Sequence, residues 1–271
     1  MELKWFFPER IEDAVDLIQE QGVVPHAGGT GLLLGKIRNV KALVDLGRLD
    51  LDFFRKEGTT IELGAMMTYA DTIRHIGRDS NHILVKALSH AATALLRNRI
   101  TIGGSVAYFP MWSDLIGPLV ALESKINIQG PNGGIYDIED FIKNRNLRKG
   151  HLITSVFFKD FDGDAFYYRA TRTEVDYPAF TVTILCSKDG NVVRDIRIVI
   201  TGNTDKYLRL RELENSIKSS PPDDRSALKE LVEPIEIGFT GKKLGSAEYI
   251  EHLAKVALLR GLDSLIFPPK S

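Results

Sequence analysis

Apolar residues in the first fifty positions alternate between helical spacing and short continuous runs. Between Pro8 and Gly22 they recur every three or four residues, which predicts a helix that begins near Pro8 and ends at a left-handed Gly22. Two apolar runs, Val23–Val24 and Ala42–Leu46, predict short strands. Between them lies His26–Gly31, which has little side-chain bulk. The pattern therefore predicts a small βαβ-like unit with a glycine loop at its centre.

The following hundred residues mix strands with helices. A second glycine pair, Gly103-Gly104, follows a long Ala- and Leu-rich stretch, and Ser113-Asp114 has the form of an N-cap for the apolar helix after it. This region is predicted to be mixed α and β structure around a second glycine loop. The predicted strands are Thr60–Gly64 and Lys125–Gln129, and the predicted helices are Tyr69–Ile76, His82–Leu96 and Leu115–Leu122.

From about Gly163 the order changes to strands followed by helices. The alternating segments Ala165–Arg169, Ala179–Leu185 and Val192–Ile200 predict an antiparallel meander, with a hairpin turn at Asp189–Asn191. Such an order argues for an α+β domain of its own. The helices predicted after the strands are Asp205–Ile217, Asp224–Val232 and Ser246–Arg260.

Composition and charge then narrow the class of protein. The 271 residues are 44% hydrophobic and 26% charged, which is typical of a globular chain with two domains. Thirty-five basic and 36 acidic side chains give a net charge of −1, so nucleic acid or anionic lipid is not an expected partner and any phosphate recognition must be local. Cys186 is the only cysteine, which excludes an internal disulfide and a cluster of cysteine ligands within this chain.

The sequence shows no clear pattern for a signal peptide, a membrane span or a metal site. The N-terminal residues contain no apolar signal core, and the longest uncharged stretch, Ile100–Ser113, is too short and too interrupted by glycine and proline for a membrane span. We therefore expect a cytoplasmic protein. The six histidines show no metal-ligand spacing, so no metal site is predicted.

The two glycine clusters are the best candidates for chemistry. Glycine lets backbone N–H groups approach a phosphate closely, and each cluster has a neighbouring hydroxyl and no acidic residue inside it. Together the clusters would hold a diphosphate from two sides, although each taken alone is also compatible with a tight turn. The segment Arg97–Arg99 either helps to neutralise that diphosphate or is a set of exposed charges at a helix end.

These motifs, in their order and spacing, carry a family resemblance. Ala27-Gly-Gly-Thr30 and Thr101-Ile-Gly-Gly104, the latter preceded by Arg97-Asn98 and followed by Asp114, resemble the two flavin-binding segments of the FAD-binding subunit of molybdenum hydroxylases. That family includes the flavoprotein subunits of xanthine dehydrogenase and carbon monoxide dehydrogenase. The resemblance extends over nearly the whole chain, through the segments Ile61–Ala65, Asp114–Leu122, Tyr168–Tyr177 and Ile196–Gly202.

The resemblance implies a fold and a function. The fold is α+β: a vanillyl-alcohol-oxidase-type two-lobed FAD-binding domain at 1–162, with lobes of about 1–52 and 53–162, followed by a C-terminal domain of antiparallel sheet and helices at 163–271. The implied function is an electron-transfer subunit that passes electrons from partner iron–sulfur clusters through FAD to an acceptor such as NAD+ or a quinone. The implied partners are a molybdopterin-binding large subunit and a 2Fe-2S small subunit, so no catalytic residue is assigned in this chain.

The resemblance also implies the site residues. Asp114 would bond near the ribose or diphosphate, Ile153 would lie by the isoalloxazine, and Arg169 would stand close to that ring. The diphosphate would be held mainly through backbone amides of two segments: Val24, Pro25, His26, Ala27, Gly28, Gly29, Thr30 and Gly31 in the first, and Thr101, Ile102, Gly103, Gly104 and Ser105 in the second.

Departures from the family pattern keep two alternatives open. Ser105 stands where asparagine is usual, and Ala91 stands roughly where some members place an aromatic ring against the adenine. One alternative is therefore a scaffold subunit that has kept the fold without the flavin. The other is a stand-alone FAD-dependent oxidoreductase acting on a small substrate, with a base near Tyr168, Asp176 or Tyr177.

Overall fold

The computed structural model of the chain describes residues 3–34, 39–190 and 192–268. In this part of the chain, no helix combines the length and the apolar character that a membrane crossing requires. The strands are β1 (Lys4–Phe6), β2 (Val23–His26), β3 (Ala42–Asp45), β4 (Phe54–Glu57), β5 (Thr60–Gly64), β6 (Lys125–Gln129), β7 (Gly134–Asp137), β8 (Leu152–Lys159), β9 (Asp164–Arg169), β10 (Thr181–Asp189), β11 (Val192–Thr201) and β12 (Tyr207–Arg209).

Helices alternate with these strands along the whole sequence. They are α1 (Ile11–Leu17), α2 (Thr30–Leu34), α3 (Tyr69–Ile76), α4 (Ile83–Leu88), α5 (Ala94–Arg97), α6 (Ile102–Tyr108), α7 (Ile116–Ala121), α8 (Ile138–Lys143), α9 (Arg211–Ser219), α10 (Arg225–Val232) and α11 (Ala247–Ile266), with a short 3-10 turn at Arg145–Leu147.

The described residues divide into two compact units. Described residues within 1–75, 93–109 and 123–160 form the first unit, and described residues within 76–92, 110–122 and 161–271 form the second.

The first unit contains a parallel sheet and an antiparallel sheet. The parallel sheet has the order β1-β3-β2, and the antiparallel sheet has the order β4-β5-β8-β6-β7. Helix α1 packs its buried Ala14 against the apolar residues of β2 and β3. Strand β8 is central in its sheet, and its residues Leu152–Val156 are buried without interruption, as expected for a strand that is covered on both faces.

The second unit is built on a four-stranded antiparallel sheet with the order β12-β11-β10-β9. Its core joins the apolar positions of β10 and β11 to the long helix α11. Gly261 lets α11 approach the sheet closely, because a Cβ at this position would lie 2.5 Å from Cδ1 of Phe166. Helix α7 lies against β10 and β11 as well, and all six of its residues are buried.

Several predicted elements are confirmed. Helix α3 and strands β5 and β6 begin and end at the predicted residues, and Gly22 has the left-handed conformation, with φ of +89°. Ser113 Oγ accepts from the N–H groups of Leu115 and Ile116, as expected of a capping side chain, although the N-cap position of α7 is Leu115 and not Ser113. The predicted hairpin turn falls partly on Asn191, which lies outside the described residues.

The predicted single helix at His82–Leu96 is wrong. The chain forms α4, leaves the helix, and starts α5 after Thr93, whose Oγ1 accepts from the N–H of Leu96. Ala92 has a φ of +52°, which is left-handed and cannot continue a helix. The high helix propensity of this stretch is therefore overridden at Ala92, although alanine favours helix.

The C-terminal predictions need two further corrections. The helix predicted at Asp205–Ile217 is instead a left-handed Lys206 (φ +75°), strand β12 and then α9, so the meander has four strands. Strand β12 forms because Tyr207 pairs with Thr201 across a tight turn. Helix α11 continues beyond the predicted end at Arg260, since the buried Leu262 and Leu265 extend its apolar face.

Candidate functional site

The first glycine segment leaves the edge of the parallel sheet of the first unit. Among the described strands, β2 pairs with β3 alone, so Pro25, which has no N–H group, lies on the side of β2 without a described partner strand, and Val24 beside it is half-buried. The chain bends after His26 and passes through Gly29, whose φ is +74°. Helix α2 then begins at Thr30. The strand, bend and helix start place the whole segment at one end of the sheet.

The backbone N–H groups of residues 27–31 have no acceptor among the described residues. In the described part of the chain, none of the N–H groups of Ala27, Gly28, Gly29, Thr30 and Gly31 donates a hydrogen bond to another residue. The last two are also first-turn amides of α2, which have no partner inside a helix. Five adjacent donors without an acidic side chain among them form a concentrated site for an anion.

The first glycine segment is in direct contact with residues on both sides of the second segment. A Cβ on Gly28 would lie 1.5 Å from the carbonyl oxygen of Arg99, so the two backbones touch at a place where only glycine fits. A Cβ on Gly31 would lie 3.2 Å from Cγ of Tyr108, at the far end of α6. The structure therefore places the first segment against the residues that flank the second one, Arg99 and Tyr108.

The side chain of His26 packs against Gly29, which follows it in the first segment. Its Nδ1 lies 3.3 Å from Oδ2 of Asp45, and its ring packs edge-on against Trp5 at a centroid distance of 4.9 Å. Its Nε2 lies 2.9 Å from the position that a Cβ on Gly29 would occupy. The imidazole thus fills the space under the left-handed glycine and holds the loop against the sheet.

The second glycine segment is the first turn of a helix, not an open loop. Thr101 is the N-cap of α6, and its Oγ1 accepts from the N–H of Gly104 at 3.2 Å. Gly103 packs against Ala65 so closely that a Cβ would lie 2.6 Å from Cβ of Ala65. The glycine pair thus allows a helix to begin in contact with a neighbouring turn.

This geometry corrects the prediction that both segments present backbone amides. In the second segment the amides of residues 102–105 are already used: the N–H groups of Ile102, Gly103 and Ser105 donate to Met67 O, Ala65 O and Thr101 O at 2.9, 2.8 and 3.0 Å, and the N–H of Gly104 donates to Thr101 Oγ1. Ser105 is half-buried and Gly104 is exposed, so the side chain of the first and the surface of the second remain accessible. Sequence spacing alone cannot distinguish an amide-presenting loop from a capped helix start.

Two backbone hydrogen bonds link Thr154, the residue after Ile153, to the second segment. Ile153 lies in β8 opposite Ile128, next to Thr154. The carbonyl of Thr154 accepts from the N–H of Ala65, whose own carbonyl accepts from Gly103. Ile153 itself is buried, at a bulge in the β6–β8 pairing.

Asp114 and Arg169 form a buried ion pair within the second unit. Arg169 donates through Nε to Asp114 Oδ1 at 2.9 Å and through Nη2 to Asp114 Oδ2 at 3.2 Å. The side chains are 7% and 10% exposed. The hydroxyl of Tyr167 donates to Asp114 Oδ1 at 2.6 Å. Both carboxylate oxygens of Asp114 are therefore held by protein donors.

Burial and charge act against each other in this cluster. Burial raises the pKa of the Asp114 carboxyl above its ordinary value, while the charge of Arg169 and the hydrogen bond from Tyr167 oppose that rise. Burial, together with the neighbouring carboxylate, raises the pKa of Tyr167 well above its ordinary value. The phenol therefore stays protonated and acts as a donor.

The same arginine orders the chain that follows β9. Arg169 donates to the carbonyls of Glu174 and Asp176 at 2.8 and 3.1 Å. The adjacent Tyr177 packs on Trp112 at a centroid distance of 5.0 Å and is 57% exposed. Asp114 thus holds Arg169, and Arg169 holds this segment.

Tyr167 was not identified from the sequence. The signal was present, because alternation along β9 places residues two apart on the same face of the sheet, and Tyr167 is two residues before Arg169. Its neighbour Tyr168, near which one alternative expects a base, packs on the core of the second unit beside Phe180.

Comparison with known families covers both parts of the chain. The family model described as FAD binding domain in molybdopterin dehydrogenase matches residues 1–158. The model described as CO dehydrogenase flavoprotein C-terminal domain matches residues 165–265. The resemblance stated from the sequence motifs is thereby confirmed.

Curated relatives match over most of their length. The glyceraldehyde dehydrogenase medium chain of Sulfolobus acidocaldarius is 25% identical over 283 aligned residues, which cover 97% of this chain and 98% of that protein. The carbon monoxide dehydrogenase medium chain of Hydrogenophaga pseudoflava is 28% identical over 215 residues, which cover 74% of this chain and 75% of that protein.

Solved structures confirm the expected fold, an α+β FAD-binding domain of the vanillyl-alcohol-oxidase type followed by an antiparallel-sheet-plus-helices domain. A chain of carbon monoxide dehydrogenase from Hydrogenophaga pseudoflava superposes with a TM-score of 0.88 at 23% identity, covering 98% of this chain and 97% of that one. A chain of the reconstituted enzyme from Oligotropha carboxidovorans gives 0.87 at 25% identity and 98% coverage of both. Because the first family model spans more than half of the sequence, the chain belongs to the family of FAD-binding domains of molybdopterin dehydrogenases, and its cofactor is FAD.

Proposed function

We propose that this chain is the electron-transfer subunit of a molybdenum hydroxylase-type dehydrogenase, assembled with a molybdopterin-binding large subunit and a 2Fe-2S small subunit. When bound, FAD supplies the chemistry that connects one-electron carriers to an acceptor such as NAD+ or a quinone. Two observations support the proposal. The two curated relatives described above are named medium chains of dehydrogenases. The chain has a single cysteine, so cluster ligands have to come from a partner.

The five free N–H groups of residues 27–31 carry the assignment of the cofactor site. A diphosphate is rich in acceptor oxygens and negative charge, and it fits a set of donors that includes no carboxylate. The near-zero net charge of the chain is consistent with recognition by backbone amides instead of a basic surface. We propose that this segment, supported by His26, holds the FAD diphosphate.

The other predicted site residues would contribute in ways other than free backbone amides. In the second segment, the accessible groups are the Ser105 hydroxyl and the surface of Gly104, and we propose that Thr101, Ile102 and Gly103 act by fixing the start of α6. The assignments of Ile153 by the isoalloxazine and of Asp114 and Arg169 to the cofactor stay predictions from the resemblance. So do the domain boundary at 162/163 and the cytoplasmic location.

A ligand series tests whether the diphosphate is recognised. The full chain, stripped of flavin, is titrated with FAD, FMN and ADP, and the flavin signal is followed by fluorescence. We expect FAD to bind far more tightly than FMN, and ADP to compete with FAD, because the loop recognises the part that FAD and ADP share. Equal affinity for FAD and FMN, with no competition by ADP, would refute the assignment.

A matched pair of variants at Thr30 tests the amides themselves. Thr30→Pro removes one N–H at the first position of α2, where proline is well tolerated in a helix, whereas Thr30→Ala keeps that N–H and removes the hydroxyl. Loss of one hydrogen bond to a charged group should raise the Kd for FAD about tenfold in Thr30→Pro. Thr30→Ala should bind as the unsubstituted chain does. An unchanged Kd in Thr30→Pro would contradict the role of the amide.

The partner proposal and the two alternatives are separated by purification. Tagged chain produced with its neighbouring genes should recover a large molybdopterin protein and a small iron–sulfur protein in fixed proportion. Substrate turnover by the isolated chain would favour the stand-alone flavoenzyme. A chain that joins the complex but contains no flavin, in keeping with Ser105 and Ala91, would favour the scaffold.

A further inference from the structure

A side chain that lies two residues before the second segment contacts the backbone of the first. The guanidinium of Arg99 donates two hydrogen bonds to the carbonyl oxygen of Gly28, from Nε at 3.2 Å and from Nη2 at 3.1 Å. Both residues belong to the first unit. The contact lies within residues 27–31, whose N–H groups have no acceptor in the part of the chain that the structure describes.

Arg99 is itself fixed by its surroundings. Its backbone N–H donates to Leu96 O at 2.9 Å, at the end of α5, and the next residue, Ile100, donates to the same oxygen. Its carbonyl oxygen occupies the space that a side chain on Gly28 would need. Backbone contact and guanidinium contact therefore act on the same peptide of the loop from an anchored position.

The two hydrogen bonds determine the direction of an amide. In a planar trans peptide, the C=O and the following N–H point to opposite sides. Because the carbonyl of Gly28 is directed at Arg99, the N–H of Gly29 is directed away from it. Gly29 is left-handed and so has conformational freedom that other residues lack. Without an external hold, this peptide would be the part of the loop most able to turn over.

We propose that Arg99 is a positioning residue for the FAD diphosphate: it holds the Gly28–Gly29 peptide in the orientation that presents the Gly29 N–H to the anion. The inference rests on the proposed function of the 27–31 segment. It gives Arg99 a third role beside the two interpretations drawn from the sequence, because in it Arg99 is neither a freely solvated charge nor required to touch the phosphate. Its effect on FAD passes through a backbone carbonyl.

Two variants of Arg99 and one control separate positioning from charge. Arg99→Gln removes the charge and the two-donor group, and Arg99→Lys keeps the charge but not the planar pair of donors. Arg74→Gln is the matched control, because Arg74 is an exposed arginine of the same unit that pairs with Asp71. The full chain and each variant are titrated with FAD and with ADP at low and high salt. Amide hydrogen exchange of residues 27–31 is followed in the flavin-free proteins.

We expect Arg99→Gln to raise the Kd for both ligands about tenfold and Arg99→Lys to raise it nearly as much. Both effects should persist at high salt, because a hydrogen-bonded orientation is screened less than a long-range charge. Both variants should exchange the amides of 27–31 faster without ligand, and Arg74→Gln should match the unsubstituted chain in every measurement.

Three results would overturn the inference. The first is an unchanged Kd in Arg99→Gln. The second is an Arg99→Lys variant that binds normally while the loss in Arg99→Gln disappears at high salt, which would assign Arg99 a charge role only. The third is an equal loss in Arg74→Gln. Failure of the unsubstituted chain to bind FAD or ADP is a different outcome, since it would contradict the proposed function of the loop and, with it, this role of Arg99.

Discussion

Replacing Asp114 by alanine should destabilise the second unit and release the segment after β9. The substitution removes both acceptors of the Arg169 guanidinium and the acceptor of the Tyr167 hydroxyl. Arg169 is then left as a buried charge without a counterion. Its hydrogen bonds to Glu174 O and Asp176 O lose the anchor that now fixes the guanidinium plane.

The expected cost follows from the burial of the pair. Asp114 and Arg169 are 7% and 10% exposed, so the pair behaves as a buried ion pair, for which removal of one partner costs about 3–5 kcal/mol. With a urea dependence of about 2 kcal/mol per M, the unfolding midpoint should fall by roughly 1.5–2.5 M. Asp114→Asn should cost less, because its amide oxygen still accepts from one donor.

Two assays report on this unit. The chain has two tryptophans, so in a Trp5→Phe background the fluorescence of Trp112 follows urea unfolding of the second unit alone. Limited trypsin digestion reports on the segment itself, because Arg172 is exposed and lies inside the stretch that Arg169 holds. Asp114→Ala should be cut there under conditions in which the unsubstituted chain is resistant.

A double-mutant cycle that combines Asp114→Ala with Arg169→Gln tests whether the two side chains act as a pair. If the two side chains act as a pair, the double variant is much less destabilised than the sum of the two single variants. Additive effects, or an Asp114→Ala midpoint within about 0.3 M of the unsubstituted value with unchanged digestion, would show that the buried pair does not hold the segment.

Three other predictions concern single side chains. Ser105→Asn, which restores the residue usual in the family, should lower the Kd for FAD severalfold, and Ser105→Ala should raise it; fluorescence titration decides. Burial raises the pKa of the Cys186 thiol to about 11, so iodoacetamide at neutral pH should alkylate the chain only after urea unfolding, as counted by mass spectrometry. Burial lowers the pKa of Lys242, which donates to Ala179 O and Gly202 O. The folded state then binds the Lys242 proton less tightly than the unfolded state does, so the stability of the unsubstituted chain relative to Lys242→Met should rise as pH increases towards the ordinary value of 10.5.

Elements with strong periodicity could be predicted from the sequence. Helix α3 and strand β5 have one apolar face each and clear local signals, and their bounds were predicted correctly. The break at Ala92 could not be predicted, because alanine favours helix and only tertiary packing imposes its positive φ. Strand β12 was missed for a related reason: its formation depends on pairing with β11, which is not visible in its own three residues.

In the candidate site, too, some features could be predicted from the sequence and others could not. The glycine content and the order of both segments indicated the two elements that meet in the first unit. The number of free amides in each could not be predicted, because it depends on which carbonyls lie opposite. Ala65 and Met67 occupy the amides of Gly103 and Ile102, whereas the amides of 27–31 have no such partner in the described chain. Arg99 and Gly28 are far apart in sequence, so the spacing within a motif could not predict the hydrogen bond between them.

The amide resonances of the first segment provide the most direct test of the central claim, that its backbone N–H groups hold the FAD diphosphate. In a TROSY experiment on the flavin-free, 15N-labelled full chain, ADP is added to saturation. We predict large shifts and slowed hydrogen exchange for the amides of 27–31, and small changes for Ile102, Gly103 and Ser105, whose N–H groups are already bonded. Saturation with ADP that leaves the amides of 27–31 unshifted and unprotected would contradict the account.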